Sequence, residues 1–303
     1  CALPIWFRLC DYDGKKPGTS RIDFAWIQDA PVEPSGMVAF GREWTGAQLD
    51  HVAERYGSDD VAALKALGVI NADNGRFGST ASRISHGTHI LDLAAGYDFR
   101  DAQTSTDPAH HRIVCVQLPA LVTADTSGTH LTPMTVSAVK YIMDRALAMS
   151  MAFGVPIPLV INFSYGLGAG PHNGQHPIEL ILRKLIVDYR TALLAAINAT
   201  RDQADYLGED DIKIDIILPA GNRRLAQAHA RVSQTKKHGR AQIALPMRLQ
   251  PDDRTSNFLE IWIDAEARFD QLEIIPPGNA MPIVVSGAQL LADDEILLSK
   301  SEH

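Results

Sequence analysis

The sequence predicts an α/β protein built on a parallel sheet with helices on both faces. Three apolar runs have the character of buried strands, at 112–119, 159–163 and 212–218. Amphipathic helical spacing separates them, at 134–152 and 177–198. Near-continuous apolar strands that alternate with such helices are typical of parallel sheets covered on both faces.

Shorter elements precede this core and complete it. A strand is predicted at 21–27, and apolar residues with helical spacing predict a short helix at 60–67. A helix rich in small residues is predicted at 86–96, with Ser85 as its N-cap. Pro177 falls in the first turn of the last long helix, where a missing N–H costs no hydrogen bond.

The pattern changes after about residue 238, where no long helical spacing follows. Short strands between turn residues are predicted at 242–249, 259–264 and 271–275. The predicted organisation is therefore an incomplete α/β core at 1–237 and a β-rich insertion or subdomain at 238–303.

Charge and apolar patterning narrow the class of protein. Lys and Arg number 28 against 36 Asp and Glu, a net charge of −8, which disfavours nucleic acid or an anionic membrane as the main partner. The longest apolar runs, such as 158–163, are too short to span a membrane. A protein without nucleic-acid or membrane partners is therefore expected.

The cysteines and the first residue bear on compartment and processing. Cys1, Cys10 and Cys115 cannot all pair, and no Cys-x-x-Cys occurs, so neither a disulfide framework nor a zinc knuckle is expected. This cysteine usage and the absence of a visible signal peptide favour the cytoplasm, although the compartment is not fixed. The chain begins with Cys1 and is expected to be part of a longer chain or a processed product.

The first motif that could carry chemistry is His86-Gly87-Thr88-His89 at the start of a helix. An imidazole at a strand end of an α/β sheet suits general-base catalysis near neutral pH. A helix-capping histidine without a catalytic role is the alternative. A metal pair of His86 and His89 is a third interpretation, which lacks any further ligand motif.

Two more motifs follow predicted strands. Asn222 comes directly after Pro219-Ala220-Gly221, and a neutral amide there could donate to a developing oxyanion. Ser164, Tyr165 and Gly166 follow the strand at 159–163, where an open edge could pair with an extended peptide. Taken singly, Asn222 could belong to an ordinary Gly-Asn turn, and the Ser164–Gly166 segment is better explained as a glycine-rich loop between a strand and a helix.

Together, the His-Gly-Thr-His, Asn-x-Ser-x-Gly and Pro-Ala-Gly-Asn motifs, in this order, resemble the subtilisin-like serine peptidases. The resemblance covers roughly residues 60–225. It implies that His86 is the catalytic base, that Asn222 is the oxyanion donor and that Ser164–Gly166 line the peptide cleft. It also implies a peptide or protein substrate, and calcium as a structural ion.

The catalytic Asp and Ser of that family have no clear counterpart. Asp11 and Asp13 are the candidates for the acid, with Asp23 given little weight, and the family's Asp is expected upstream of Cys1. No Gly-Thr-Ser followed by small residues and Pro comes after Asn222. The other serines considered, and set aside, are Ser256, Ser286 and, in a permuted arrangement, Ser20.

The expected function is part of a Ser-His-Asp endopeptidase, with the remainder of the catalytic domain on sequence outside these residues. A peptide-binding pseudo-peptidase or split subunit is the alternative. A nucleotide-binding α/β domain is disfavoured because no glycine-rich phosphate loop occurs. Calcium could bind Asp210-Asp211 or Asp252-Asp253, but neither has the ligand spacing of a known loop, and no cofactor is otherwise evident.

Overall fold

The computed structural model describes residues 8–10, 17–33, 38–57, 59–69, 86–96, 111–119, 122, 130–166, 168, 170–222, 225–226, 228–231, 244–248, 259–263, 270–276 and 281–287. Contacts divide the chain into two compact units, Cys1–Phe258 and Leu259–His303. The boundary predicted from sequence, between 237 and 238, lies earlier in the chain than this division.

The larger unit contains a three-stranded mixed sheet of order β4-β3-β5. Strand β3 (Ile22–Ile27) pairs antiparallel with β4 (Arg42–Thr45) and parallel with β5 (Ile113–Gln117). The parallel register aligns Ile27 with Gln117, so β3 and β5 end at the same edge of the sheet.

Three helices share a hydrophobic cluster with one face of this sheet: α1 (Gly46–Tyr56), α2 (Asp60–Ala66) and α3 (His86–Ala95). Thr45 begins α1 with a capping box, since its side chain accepts from the backbone of Gln48 while the Gln48 side chain accepts from the Thr45 N–H. The cluster includes Ile22, Ala25, Ile27, Leu49, Ala63 and Leu67.

Helix α4 (Leu131–Phe153) covers the opposite face of the same sheet. The ring of Tyr141 lies 5.1 Å from that of Trp26, and the Arg145 guanidinium lies 4.8 Å above the Phe24 ring. Side chains alternate between the two faces along a strand, so Phe24 and Trp26 face away from the first cluster. The mixed sheet therefore has helices on both faces.

A second, two-stranded sheet joins β6 (Leu159–Asn162) and β7 (Ile214–Ile217) in parallel. Helix α4 and helix α5 (Pro177–Asn198) share a second hydrophobic cluster with one face of this pair. On the other face Val160 is 67% exposed and Ile217 is 53% exposed. The expectation of strands buried on both faces is thus wrong for this pair, because the described helices cover only one of its faces.

The start of α5 agrees with the sequence prediction. Pro177 occupies the first turn, and the His176 side chain caps the helix by accepting from the Ile178 N–H. The Glu179 side chain accepts from the His176 N–H at 3.0 Å and completes a capping box. The turn before the helix is thereby fixed to its first residues.

Two antiparallel hairpins lie outside these sheets. Strand β1 (Arg8–Cys10) pairs with β2 (Pro17–Ser20), and β8 (Gln271–Ile274) pairs with β9 (Ile283–Ser286) in the smaller unit. No described helix combines the length and apolarity needed to cross a membrane.

Two of the strands predicted after residue 238 are wrong in their described parts. Residues 244–248 and 259–263 have no strand conformation, whereas 271–274 does. All ten residues of the first two segments are exposed, and a strand without a partner to complete its hydrogen bonds is not stable in water.

Candidate functional site

The carboxyl ends of β6 and β7 bring two of the sequence motifs to one place. The parallel register aligns Asn162 with Ile217, and the Phe163 N–H donates to the Ile217 carbonyl at 3.0 Å. Pairing therefore continues past β6 into the segment that leads to Ser164–Gly166. The same edge carries Pro219–Asn222, which follow β7.

Gly166 and Gly221 are in close backbone contact at this edge. A Cβ placed on Gly166 would lie 3.2 Å from the Gly221 Cα, which is tighter than ordinary van der Waals contact. Gly221 has φ 89°, a left-handed backbone that favours glycine. The contact places the Ser-Tyr-Gly segment beside Asn222, which is exposed and directly follows this turn.

Ser164 and Tyr165 are held by hydrogen bonds to their surroundings. The Ser164 hydroxyl lies 3.2 Å from Asn162 Oδ1, and the Asn162 Nδ2 lies 3.1 Å from Ser164 Oγ. The Tyr165 hydroxyl donates to the Val122 carbonyl at 3.4 Å. Val122 follows β5, so this bond links the carboxyl side of the mixed sheet to that of the β6–β7 pair.

His86 is the first residue of α3, and its side chain is exposed. Leu91 and Ala95 of the same helix pack against the cluster that contains β3. Arg21, which directly precedes β3, donates from Nη1 to the Ala95 carbonyl at 2.5 Å. The carboxyl end of α3 is therefore fixed at the amino end of β3. His89 is also exposed, one helical turn from His86.

Asp29 is a residue that the sequence reasoning missed. It is exposed and lies two positions beyond β3, in the turn that the Ala30 N–H closes by donating to the Ile27 carbonyl at 3.4 Å. A signal was present in the sequence, since Asp29 lies two positions beyond the predicted strand at 21–27. The subtilisin-like motif has a glycine soon after the acid, whereas Ala30 and Pro31 follow Asp29.

Asp23, given little weight from sequence, lies near the amino end of β3 and pairs with Arg112. The Arg112 Nε donates to Asp23 Oδ2 at 2.9 Å. This hydrogen bond is the main cause that raises the pKa of Arg112, and burial acts against it. Asp23 is thus bound in a surface ion pair at the edge opposite to Asp29.

The other acids and serines considered fall outside the candidate site or outside the described residues. Asp11, Asp13 and Ser256 lie outside the described residues. Ser20 is 3% exposed, its hydroxyl accepts from the Ile22 N–H, and its own N–H donates to Asp50. Because Ser20 is buried and bound to the backbone, it is not available as the nucleophile of a permuted arrangement. Ser286 ends β9, in the smaller unit.

The described residues add no support for the two predicted calcium sites. Asp210 and Asp211 lie in a 3-10 turn, Glu209–Asp211, where Asp211 Oδ2 accepts from the Gly208 N–H. Within the described part of the chain, no three His, Cys, Asp or Glu side chains are grouped as metal ligands. Asp252-Asp253 lie outside the described residues, so calcium binding stays a prediction.

Comparisons with models of protein families, with curated proteins and with solved structures find no match. The function is therefore inferred from the geometry of the site.

Proposed function

We propose that this chain carries the catalytic base, the oxyanion donor and the peptide-binding edge of a subtilisin-like serine peptidase. The observation that carries the proposal is the contact of Gly166 with Gly221, which places Ser164–Gly166 beside Asn222 at the carboxyl ends of two parallel strands. In open α/β sheets, sites form at such strand ends. The proposed fold is a subtilisin-like parallel sheet that contains both described sheets.

The position of the carboxyl end of α3 is compatible with a role for His86 in the site. Its carboxyl end is bound to Arg21 at the start of β3, and ten helical residues rise about 15 Å, less than the roughly 20 Å of a six-residue strand. A helix that runs back along β3 would bring His86 toward the end at which Asp29 follows. Asp29 is accordingly the proposed carboxylate partner that orients the imidazole.

The proposed chemistry divides the roles among these residues. An extended peptide pairs with Ser164–Gly166, which fixes the scissile carbonyl near the Asn222 side chain. The Asn222 amide then donates to the oxygen on which negative charge develops, without adding a charge of its own. His86 accepts the proton of the attacking nucleophile and returns it to the leaving amine, and Asp29 holds the ring.

The nucleophile has no recognised motif after Asn222. This observation favours a second candidate function, a peptide-binding pseudo-peptidase that uses the same edge without cleavage. The two candidates share the peptide site and differ in whether a serine reacts.

An affinity label tests the peptide site and the position of His86 without needing a nucleophile. A short apolar peptide with a C-terminal bromoacetamide group, from which an imidazole nitrogen displaces bromide directly, should alkylate His86 selectively, as located by mass spectrometry. Excess of the same peptide without the reactive group should block the reaction. The matched control is His89, equally exposed on the same helix, which should remain unmodified.

A Gly166→Val variant provides a second test of the peptide site. The valine side chain would displace the Gly221 segment, so the selective labelling of His86 should be abolished. Equal alkylation of His86 and His89, or labelling that the free peptide does not block, would show that no peptide site adjoins His86.

A further inference from the structure

Two histidines from separate segments meet, one in the segment after Gly166 and the other in the segment after Asn222. His172 lies in the loop between β6 and α5, and His229 lies in the segment that follows Asn222. Their ring centroids are 4.5 Å apart, with the ring planes inclined by 36°. Both side chains are exposed, so solutes can reach the pair from solvent.

The backbone holds His172 in an unusual conformation. Its φ is 52°, and among the described residues it is the one non-glycine residue with a positive φ. Such a conformation costs free energy and persists where the surrounding structure enforces it, often at binding sites. The flanking Gly170 and Gly174 also have positive φ, and the capped start of α5 follows. The His172 ring is therefore placed by its loop.

The spacing of the rings fits ligation of one ion. Imidazole nitrogens bind transition ions at about 2.0–2.1 Å, so two rings on one ion at angles of roughly 90–110° have centroids about 4.5–5.2 Å apart. The observed 4.5 Å corresponds to the right-angled end of this range. Right-angled imidazole ligation is typical of tetragonal Cu²⁺ and Ni²⁺.

We propose that His172 and His229 form a binding site for a divalent first-row transition ion, Cu²⁺ or Ni²⁺ in preference to Zn²⁺. Among the described residues no three side chains are grouped as metal ligands, so the two imidazoles are the protein ligands of the proposed site. Calcium is a poor occupant because it takes oxygen ligands.

A bound ion would join the loop after β6 to the segment after β7. These segments adjoin Ser164–Gly166 and Asn222, so metal binding would also restrain the two sides of the candidate site. The metal site does not rest on the proposed peptidase function, since it requires only the two imidazoles.

Titration of Cu²⁺ into the 303-residue chain at pH 7.5, followed by calorimetry, tests the proposal. His172→Asn removes the imidazole while asparagine still tolerates the left-handed backbone, and His229→Gln removes the partner ring. Each variant should weaken the tightest site at least about tenfold, and the double variant should lose little more than either alone. Binding should weaken on acidification, because a protonated imidazole cannot ligate.

Two of the nine other histidines in the chain serve as controls. His51→Ala and His89→Ala, both at exposed helical positions, should leave the tightest site unchanged. The Cu²⁺ paramagnetic resonance spectrum should show two nitrogen ligands in the parent chain and one in each single variant. Unchanged affinity in both His172→Asn and His229→Gln, or loss of the site in His89→Ala, would overturn the proposal.

Discussion

The Tyr141 hydroxyl donates to the Glu43 carboxylate at 2.6 Å and so joins α4 to β4 across the face of the mixed sheet. Arg145, one turn further along α4, donates to the other carboxylate oxygen at 2.7 Å. The Glu43 side chain is 9% exposed and that of Arg145 is 19% exposed, so water screens this pair poorly. Burial, followed by the bond to Glu43, raises the pKa of Tyr141 and keeps its phenol protonated.

Removal of Glu43 should therefore destabilise the fold strongly. Glu43→Ala leaves the half-buried Arg145 without its carboxylate, and loss of one partner of a buried pair typically costs about 3 kcal/mol. Urea unfolding measures the change. Lys140→Ala is the matched control on the same helix, since its ion pair with Asp144 is exposed and contributes less than about 0.5 kcal/mol. Similar losses for Glu43→Ala and Lys140→Ala would contradict this assignment.

The Gly221 turn offers a test that separates stability from binding. Gly221→Ala should lower the free energy of unfolding by about 1 kcal/mol, because alanine is strained at φ 89° although no atom obstructs its Cβ. Gly154→Ala, at φ 69° beyond the end of α4 and equally unobstructed, should cost about the same. Only Gly221→Ala should also weaken peptide binding, as measured by fluorescence anisotropy. A matching loss of binding in Gly154→Ala would assign the effect to stability alone.

Cys115 should react slowly with alkylating reagents in the folded protein. Burial raises the pKa of its thiol from 9.0 to about 12, so little thiolate forms near pH 8. Iodoacetamide labelling in a Cys1→Ser, Cys10→Ser background should be slow in buffer and fast in denaturant. Cys115 is half-buried, and fast labelling in buffer would contradict the raised pKa of its thiol.

The same shift predicts an alkaline contribution to unfolding. The thiol of the unfolded chain ionises as pH rises above about 9, while the folded thiol retains its proton until about pH 12. The free energy of unfolding therefore falls progressively as the pH rises through this window. The stabilising contribution of the protonated Cys115 thiol is fully present only below the window. Cys115→Ala should show a shallower alkaline loss of stability than the parent, as followed by urea unfolding between pH 8 and pH 10.5.

The 303-residue chain should not be labelled by serine-directed fluorophosphonates and should not hydrolyse peptides. No Gly-Thr-Ser follows Asn222, and Ser20 is buried with its hydroxyl bound to the backbone. Loss of a serine nucleophile alone lowers turnover by about 10⁶-fold. Gel fluorescence and mass spectrometry measure labelling. Stoichiometric modification of Ser256 or Ser286 would reveal a nucleophile in a different motif, and modification of Ser20 would restore the permuted arrangement.

Much of the secondary structure could be predicted because its signals are local. The helices at 60–67, 134–152 and 177–198 appear as Asp60–Ala66, Leu131–Phe153 and Pro177–Asn198. Helical spacing of apolar residues, with Pro177 in a first turn, suffices for such elements. The strands predicted at 242–249 and 259–264 are wrong in their described parts, because strand propensity has little effect without a partner.

The sequence by itself determined the α/β character, the order of the motifs and the helix that begins at His86. Only the tertiary structure decided that Gly166 meets Gly221 and that His172 meets His229. These relations join residues far apart in the chain, and they depend on strand pairing and helix packing, which no local pattern specifies.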